Sequence, residues 1–91
     1  MISLVDDVRA RLIALLGELL GPGAALPDPF PVDRQLSDLG VSSLKMVNLM
    51  LAVESAFDIA IPSEDITPDN FHSVEAIERL VTRTLARGVA A

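Results

Sequence analysis

The sequence predicts an all-α protein, a four-helix bundle of three substantial helices and one short one with a long first loop. Three observations lead there. Apolar residues recur at gaps of three and four in three separate segments, the spacing of a single helix face. No segment keeps the strict alternation of a half-buried strand. Cysteine is absent from all 91 residues, so neither disulfides nor thiolate metal sites can hold the fold and packing must do so. At 51% hydrophobic residues the chain has the content for a core, and its length suits one domain over residues 1–91.

The first helix is expected from Ser3 to about Leu20, with Leu4, Val5, Val8, Leu12, Leu15, Leu16 and Leu19 as its apolar stripe. Ser3 caps it, Asp6 and Asp7 suit the positive end of its dipole, Gly17 is a weak spot, and Gly21-Pro22-Gly23 ends it. Residues 21–41 then form a long connection in which alternating Pro27, Pro29 and Pro31 impose an extended path. Such a loop in a small domain needs ties of its own, and Phe30, Val32, Leu36 and Leu39 are the candidates.

The second helix begins at Ser42 or Ser43 and runs to about Phe57. Met46, Leu49, Met50, Val53 and Phe57 form a core-facing stripe, while Leu44, Val47 and Leu51 form another turned away from it. A small protein cannot readily bury both sides of one helix, so the second stripe reads as a docking surface. Residues 62–68, bracketed by prolines, allow no more than a short helical turn. The closing helix is capped by Ser73 and buries Val74, Ile77, Leu80, Val81 and Leu85. Arg79, Arg83 and Arg87, spaced by four, line one face and suit its negative end.

Composition excludes several function classes. The net charge is -6, and the only aromatics are Phe30, Phe57 and Phe71, which leaves nucleic acid neither a basic surface nor a stacking platform. The charge divides as -2 over residues 1–32, -7 over 33–78 and +3 over 79–91. One histidine, His72, leaves no multi-histidine metal site and one imidazole base, and it reads as a loop residue beside a helix cap. No Gly-rich phosphate loop or nucleophile elbow is present, so no catalytic residues are assigned. Glu64, Asp65 and Asp69 read as a solvated acidic loop, and no metal site is assigned. No apolar stretch is long enough for a membrane span, and the first residues lack the marks of a signal peptide, so a cytoplasmic monomer without membrane insertion is expected.

The segment that stands out is Asp38-Leu39-Gly40-Val41-Ser42-Ser43-Leu44. A glycine turn leads straight into a helix and places serine hydroxyls at its N-terminus, where free N–H groups and the dipole favour a phosphate. From the residues alone, two capping serines satisfy the same pattern.

This segment resembles the signature of the acyl and peptidyl carrier proteins, Asp-Leu-Gly-x-Asp-Ser-Leu, which opens the second helix of a four-helix bundle. The apolar run Val47 to Glu54 and the exit Phe57-Asp58-Ile59-x-Ile61-Pro62 are similar to the family as well, and the likeness extends from about Leu4 to Leu85. It implies a freestanding carrier with 4′-phosphopantetheine attached at Ser43, taken from coenzyme A by a phosphopantetheinyl transferase. A chain without a thiol of its own would then carry acyl or aminoacyl thioesters on the cofactor. Leu44, Val47, Asn48, Leu51 and Glu54 would form the docking surface for the transferase, an acyl- or aminoacyl-activating ligase, and condensing or acyl-transfer enzymes. Ser42 stands where the family usually has aspartate, and Lys45 and Asn48 stand where fatty-acid carriers tend to have acids. Those departures point away from housekeeping fatty-acid synthesis and towards specialised polyketide-, peptide- or aryl-type biosynthesis. An aminoacyl carrier, in which a Ser-Ser pair also occurs, and a docking module with no prosthetic group are the alternatives.

Overall fold

The structure, a computed structural model, describes residues 4–21 and 30–88, with side chains from Asp7 onward. The Ser3 cap and the prolines at 27 and 29 therefore lie outside the described residues. Four α-helices follow in order: α1 (Leu4–Leu20), α2 (Ser43–Phe57), α3 (Pro68–Phe71) and α4 (Val74–Arg87), with 3₁₀ turns at Leu36–Leu39 and Ser63–Asp65. The architecture is the expected all-helical bundle. α1 packs on both α4 and α2, and α3 packs on the start of α4.

Each long helix contributes one face to a single core. Val8, Leu12 and Leu16 come from α1, Leu49 and Val53 from α2, and Val74, Ile77, Leu80 and Val81 from α4. Leu36, Val41, Ile59, Ile61 and Phe71 arrive from the connections and α3. Burying an aliphatic side chain of this kind contributes about 1.5–3 kcal/mol, so this cluster dominates the folding energy. α1 runs through Gly17 without a break and ends at Gly21, whose N–H reaches the Gly17 carbonyl at 3.1 Å.

The long connection is tied down where expected. Leu36 is fully buried, and Phe30, Val32 and Leu39 pack against the core at its edge. Two backbone bonds reinforce them: the Leu36 N–H donates to the His72 carbonyl at 2.7 Å, and the Glu75 N–H donates to the Val32 carbonyl at 2.9 Å. The second of these satisfies an amide in the first turn of α4, where no intrahelical acceptor exists. Ser73 caps the same turn as expected, its side chain accepting from the Ala76 N–H at 3.1 Å.

Three features differ from the sequence reading. Pro68 opens a helix instead of closing a turn. The 62–68 segment holds its single 3₁₀ turn, and Pro68 then takes the first position of α3, where a missing N–H costs nothing. The core-facing stripe of α2 is also narrower than its spacing suggests, because only Leu49 and Val53 are fully buried while Met46, Met50 and Phe57 are half-buried. Finally, Glu78 on α4 is 5% exposed and meets Arg9 of α1 in a two-pronged pair at 2.6 and 3.1 Å. Two residues further along α1, Arg11 turns to α2 instead, lying over the Phe57 ring 4.5 Å from its centroid and donating to the Ala56 carbonyl. A cation thereby meets both an aromatic face and the negative end of α2.

Candidate functional site

The Ser42–Ser43 pair is positioned by buried residues on its N-terminal side. The 3₁₀ turn at Leu36–Leu39 closes on Gly40, whose φ of +93° lies in the left-handed region that a side chain resists. Val41 follows, buried, with its N–H donating to the Leu36 carbonyl at 3.1 Å. The chain then rises straight into α2, so two core anchors fix the height and direction at which the serines emerge.

The two hydroxyls have different positions and partners. Ser42 is the N-cap: its backbone is extended, and its Oγ accepts from the Lys45 N–H at 3.2 Å. Ser43 is the first helical residue and is exposed, and no hydrogen bond within the described residues holds its hydroxyl. Capping therefore falls to Ser42 and leaves Ser43 available. The helix start beside it favours a phosphate, since the amides of a first turn lack intrahelical acceptors and the dipole is positive there.

Ser43 stands on the edge of an open groove of about 430 Å³ between α2, the 3₁₀ turn before it, and α3. Val41, Met46, Met50 and Phe71 supply apolar lining, and Gln35, Ser37, Thr67 and His72 supply polar groups. Met46 and Met50, read from sequence as core, are thus shared between core and groove. Thr67, Pro68, Phe71 and His72 bring α3 into the site. The sequence reading did not place α3 there, and the one signal for it was Pro68, which reads equally as a breaker. A phosphodiester on Ser43 with a flexible arm fits these surroundings: the hydroxyl is accessible, the helix start accepts an anion, and the adjoining groove is lined by apolar side chains.

Of the expected docking residues, Leu44, Val47 and Leu51 are 72%, 50% and 55% exposed, and Asn48 is exposed among them. They share one face of α2 beside Ser43. Glu54, the next position along that face, is half-buried where the others are exposed. The chain leaves α2 through Asp58 at φ +52° and folds back, the Ile59 N–H reaching the Glu54 carbonyl at 3.0 Å. This return brings the Ile61 N–H to Glu54 Oε2 at 2.9 Å, so the half-buried carboxylate secures the exit of α2. Among the described residues no three His, Cys, Asp or Glu side chains gather as a metal site, and Asp65 pairs with Arg87 at 3.5 Å.

Residues 10–81 match the phosphopantetheine attachment-site family. The chain belongs to that family. This carrier protein is 47% identical over 85 residues, 93% of each chain, to Aminoacyl carrier protein 1 of Bradyrhizobium diazoefficiens. It is 38% identical over 71 residues to Aminoacyl carrier protein of Agrobacterium fabrum, covering 75% of this chain and 86% of that one. Among solved structures it is similar to the chain in the glycylated carrier protein complex of the Bradyrhizobium japonicum glycine:[carrier protein] ligase. The TM-score there is 0.72 at 39% identity, covering 82% of this chain and 99% of that one. A second complex of the same ligase, with its cognate carrier protein and an analogue of glycyl adenylate, matches with a TM-score of 0.74. The group attached in this family is 4′-phosphopantetheine, which supplies the thiol that the chain itself lacks. No described helix is long and apolar enough to cross a membrane.

Proposed function

We propose that this carrier protein holds an aminoacyl group on 4′-phosphopantetheine attached at Ser43 and receives it from a freestanding amino-acid ligase. One observation carries the aminoacyl reading: the likeness to Aminoacyl carrier protein 1 runs over nearly the full length of both chains. The likeness to the carrier in the glycine ligase complexes supports the same partner class, with a small amino acid as the cargo. Ser43 takes the arm because its hydroxyl is exposed at the helix start while that of Ser42 is engaged as the cap. A transferase supplies the group from coenzyme A, and the cytoplasm, where coenzyme A and ATP are at hand, is the setting.

The partners dock on Leu44, Val47, Asn48 and Leu51, which adjoin the attachment point as successive positions of one helix face. The chain's own contribution is then to present Ser43 on a rigid helix start, with catalysis left to its partners and the thiol to the cofactor.

Intact mass spectrometry after co-expression with a broad-specificity transferase tests the attachment. The protein gains one phosphopantetheine, Ser43→Ala gains none, and Ser42→Ala still gains one; modification of Ser43→Ala overturns the assignment. Incubating the loaded form with a glycine-activating ligase, ATP and a panel of amino and aliphatic acids then reads the cargo as a second mass increment. An increment from aliphatic acids alone sinks the aminoacyl reading.

A further inference from the structure

We propose that Lys45 is a specificity-determining residue for docking, its ammonium meeting a carboxylate at the rim of the ligase surface that covers the exposed face of α2. This rests on the docking of an amino-acid ligase at Leu44, Val47 and Leu51. It adds the chemistry of that partner surface, apolar at its centre and acidic where it meets Lys45.

Lys45 is the only lysine of the chain, and folding gives no reason for a cation there. It is the third residue of α2, where the positive end of the helix dipole disfavours it. Its helical neighbours at three and four residues, Val41, Ser42, Asn48 and Leu49, include no carboxylate to offset the charge. Most other cations are engaged within the chain. Arg9, Arg79 and Arg87 pair with Glu78, Glu75 and Asp65, and Arg11 is held by the Phe57 ring and the Ala56 carbonyl. The Lys45 side chain has no such partner among the described residues. It is half-buried, as befits a lysine whose aliphatic stem lies along the helix while its ammonium stays in water. Glu54, the one carboxylate of α2, is held at the far end of the helix by the Ile61 N–H. The exposed stripe is thus flanked by a free positive charge on a chain of net charge -6. A basic partner, which the overall acidity would attract, meets repulsion at this spot, and an acidic rim meets its complement.

Aminoacylation kinetics of the full holo chain with a glycine-activating ligase test this. Lys45→Glu raises KM for the carrier about tenfold with kcat unchanged, Lys45→Gln raises it about threefold, and Lys45→Arg stays near wild type. The Lys45→Glu effect shrinks as salt is added. Because this variant also removes a cation from the positive end of α2, its melting temperature stays at or above the wild-type value. A raised KM that comes with a lowered melting temperature is structural and overturns the proposal. Carbodiimide coupling, which joins an amine to a carboxylate with loss of water, links Lys45 to an Asp or Glu of the ligase; a complex that gives no link at Lys45 overturns it as well. An unaltered KM for Lys45→Glu beside a raised one for Leu51→Asp overturns this proposal alone. An unaltered KM in both overturns the docking face, and this proposal with it.

Discussion

Leu51 and Val53 lie two residues apart on α2, yet their side chains face opposite worlds, at 55% and 0% exposure. Leu51→Asp is expected to leave helical content and melting temperature nearly unchanged while weakening ligase and transferase binding at least tenfold. Val53→Asp buries an unpaired carboxylate at a cost of several kcal/mol, comparable to the whole stability of a small domain, and is expected to unfold the chain. Circular dichroism melts of the two variants check this directly. Glu78 is a third instructive residue. Nothing in its spacing separates it from Glu75, which is half-buried, and only the approach of Arg9 from α1 makes its burial tolerable. Glu78→Gln is expected to destabilise by about 1–2 kcal/mol, less than for a fully enclosed pair because Arg9 remains partly solvated. Urea unfolding gives the value.

The helices themselves were legible because three-and-four spacing survives any tertiary context, and their ends were legible because caps are local chemistry. Ser73 caps α4 as read, and Ser42 caps α2 at one of the two starting positions read for it. Removing the first cap, Ser73→Ala, leaves the Ala76 amide without its acceptor in a buried setting and is expected to cost about 1 kcal/mol in thermal or urea unfolding. Gly40→Ala meets no neighbouring atom within 4 Å, so its effect isolates backbone strain at φ +93°. A loss of about 1 kcal/mol is expected from the positive φ alone. What could not be read were the features made by chain reversal. Glu54 lies on the docking face in a helical projection, and only the left-handed turn at Asp58 brings Ile61 back to claim its carboxylate. Pro68 was ambiguous for a related reason, since a proline starts a helix as readily as it stops one.

For the molecule as a whole, the acidity and the exposed apolar face of α2 are separate properties. The net charge is -6, yet the exposed face of α2 from Leu44 to Leu51 carries no carboxylate. Affinity for the ligase is therefore expected to change less than threefold when ionic strength rises to about 0.5 M, because apolar contact is not screened and only long-range steering is lost. Surface plasmon resonance across a salt series reads it. The fold, the serine pair at the start of α2 and the exposed apolar stripe beside it were all present in the linear sequence. The groove was not, because its walls come from segments some thirty residues apart and exist only once Leu36 meets His72. That meeting has an evolutionary consequence. Both tethers of the long connection, Leu36 to His72 and Val32 to Glu75, run between main-chain atoms. The exposed side chains between them, Asp33, Arg34 and Gln35, can be exchanged without loosening either tether. A lineage can thus rewrite this exposed stretch of the surface while both tethers stay where they are.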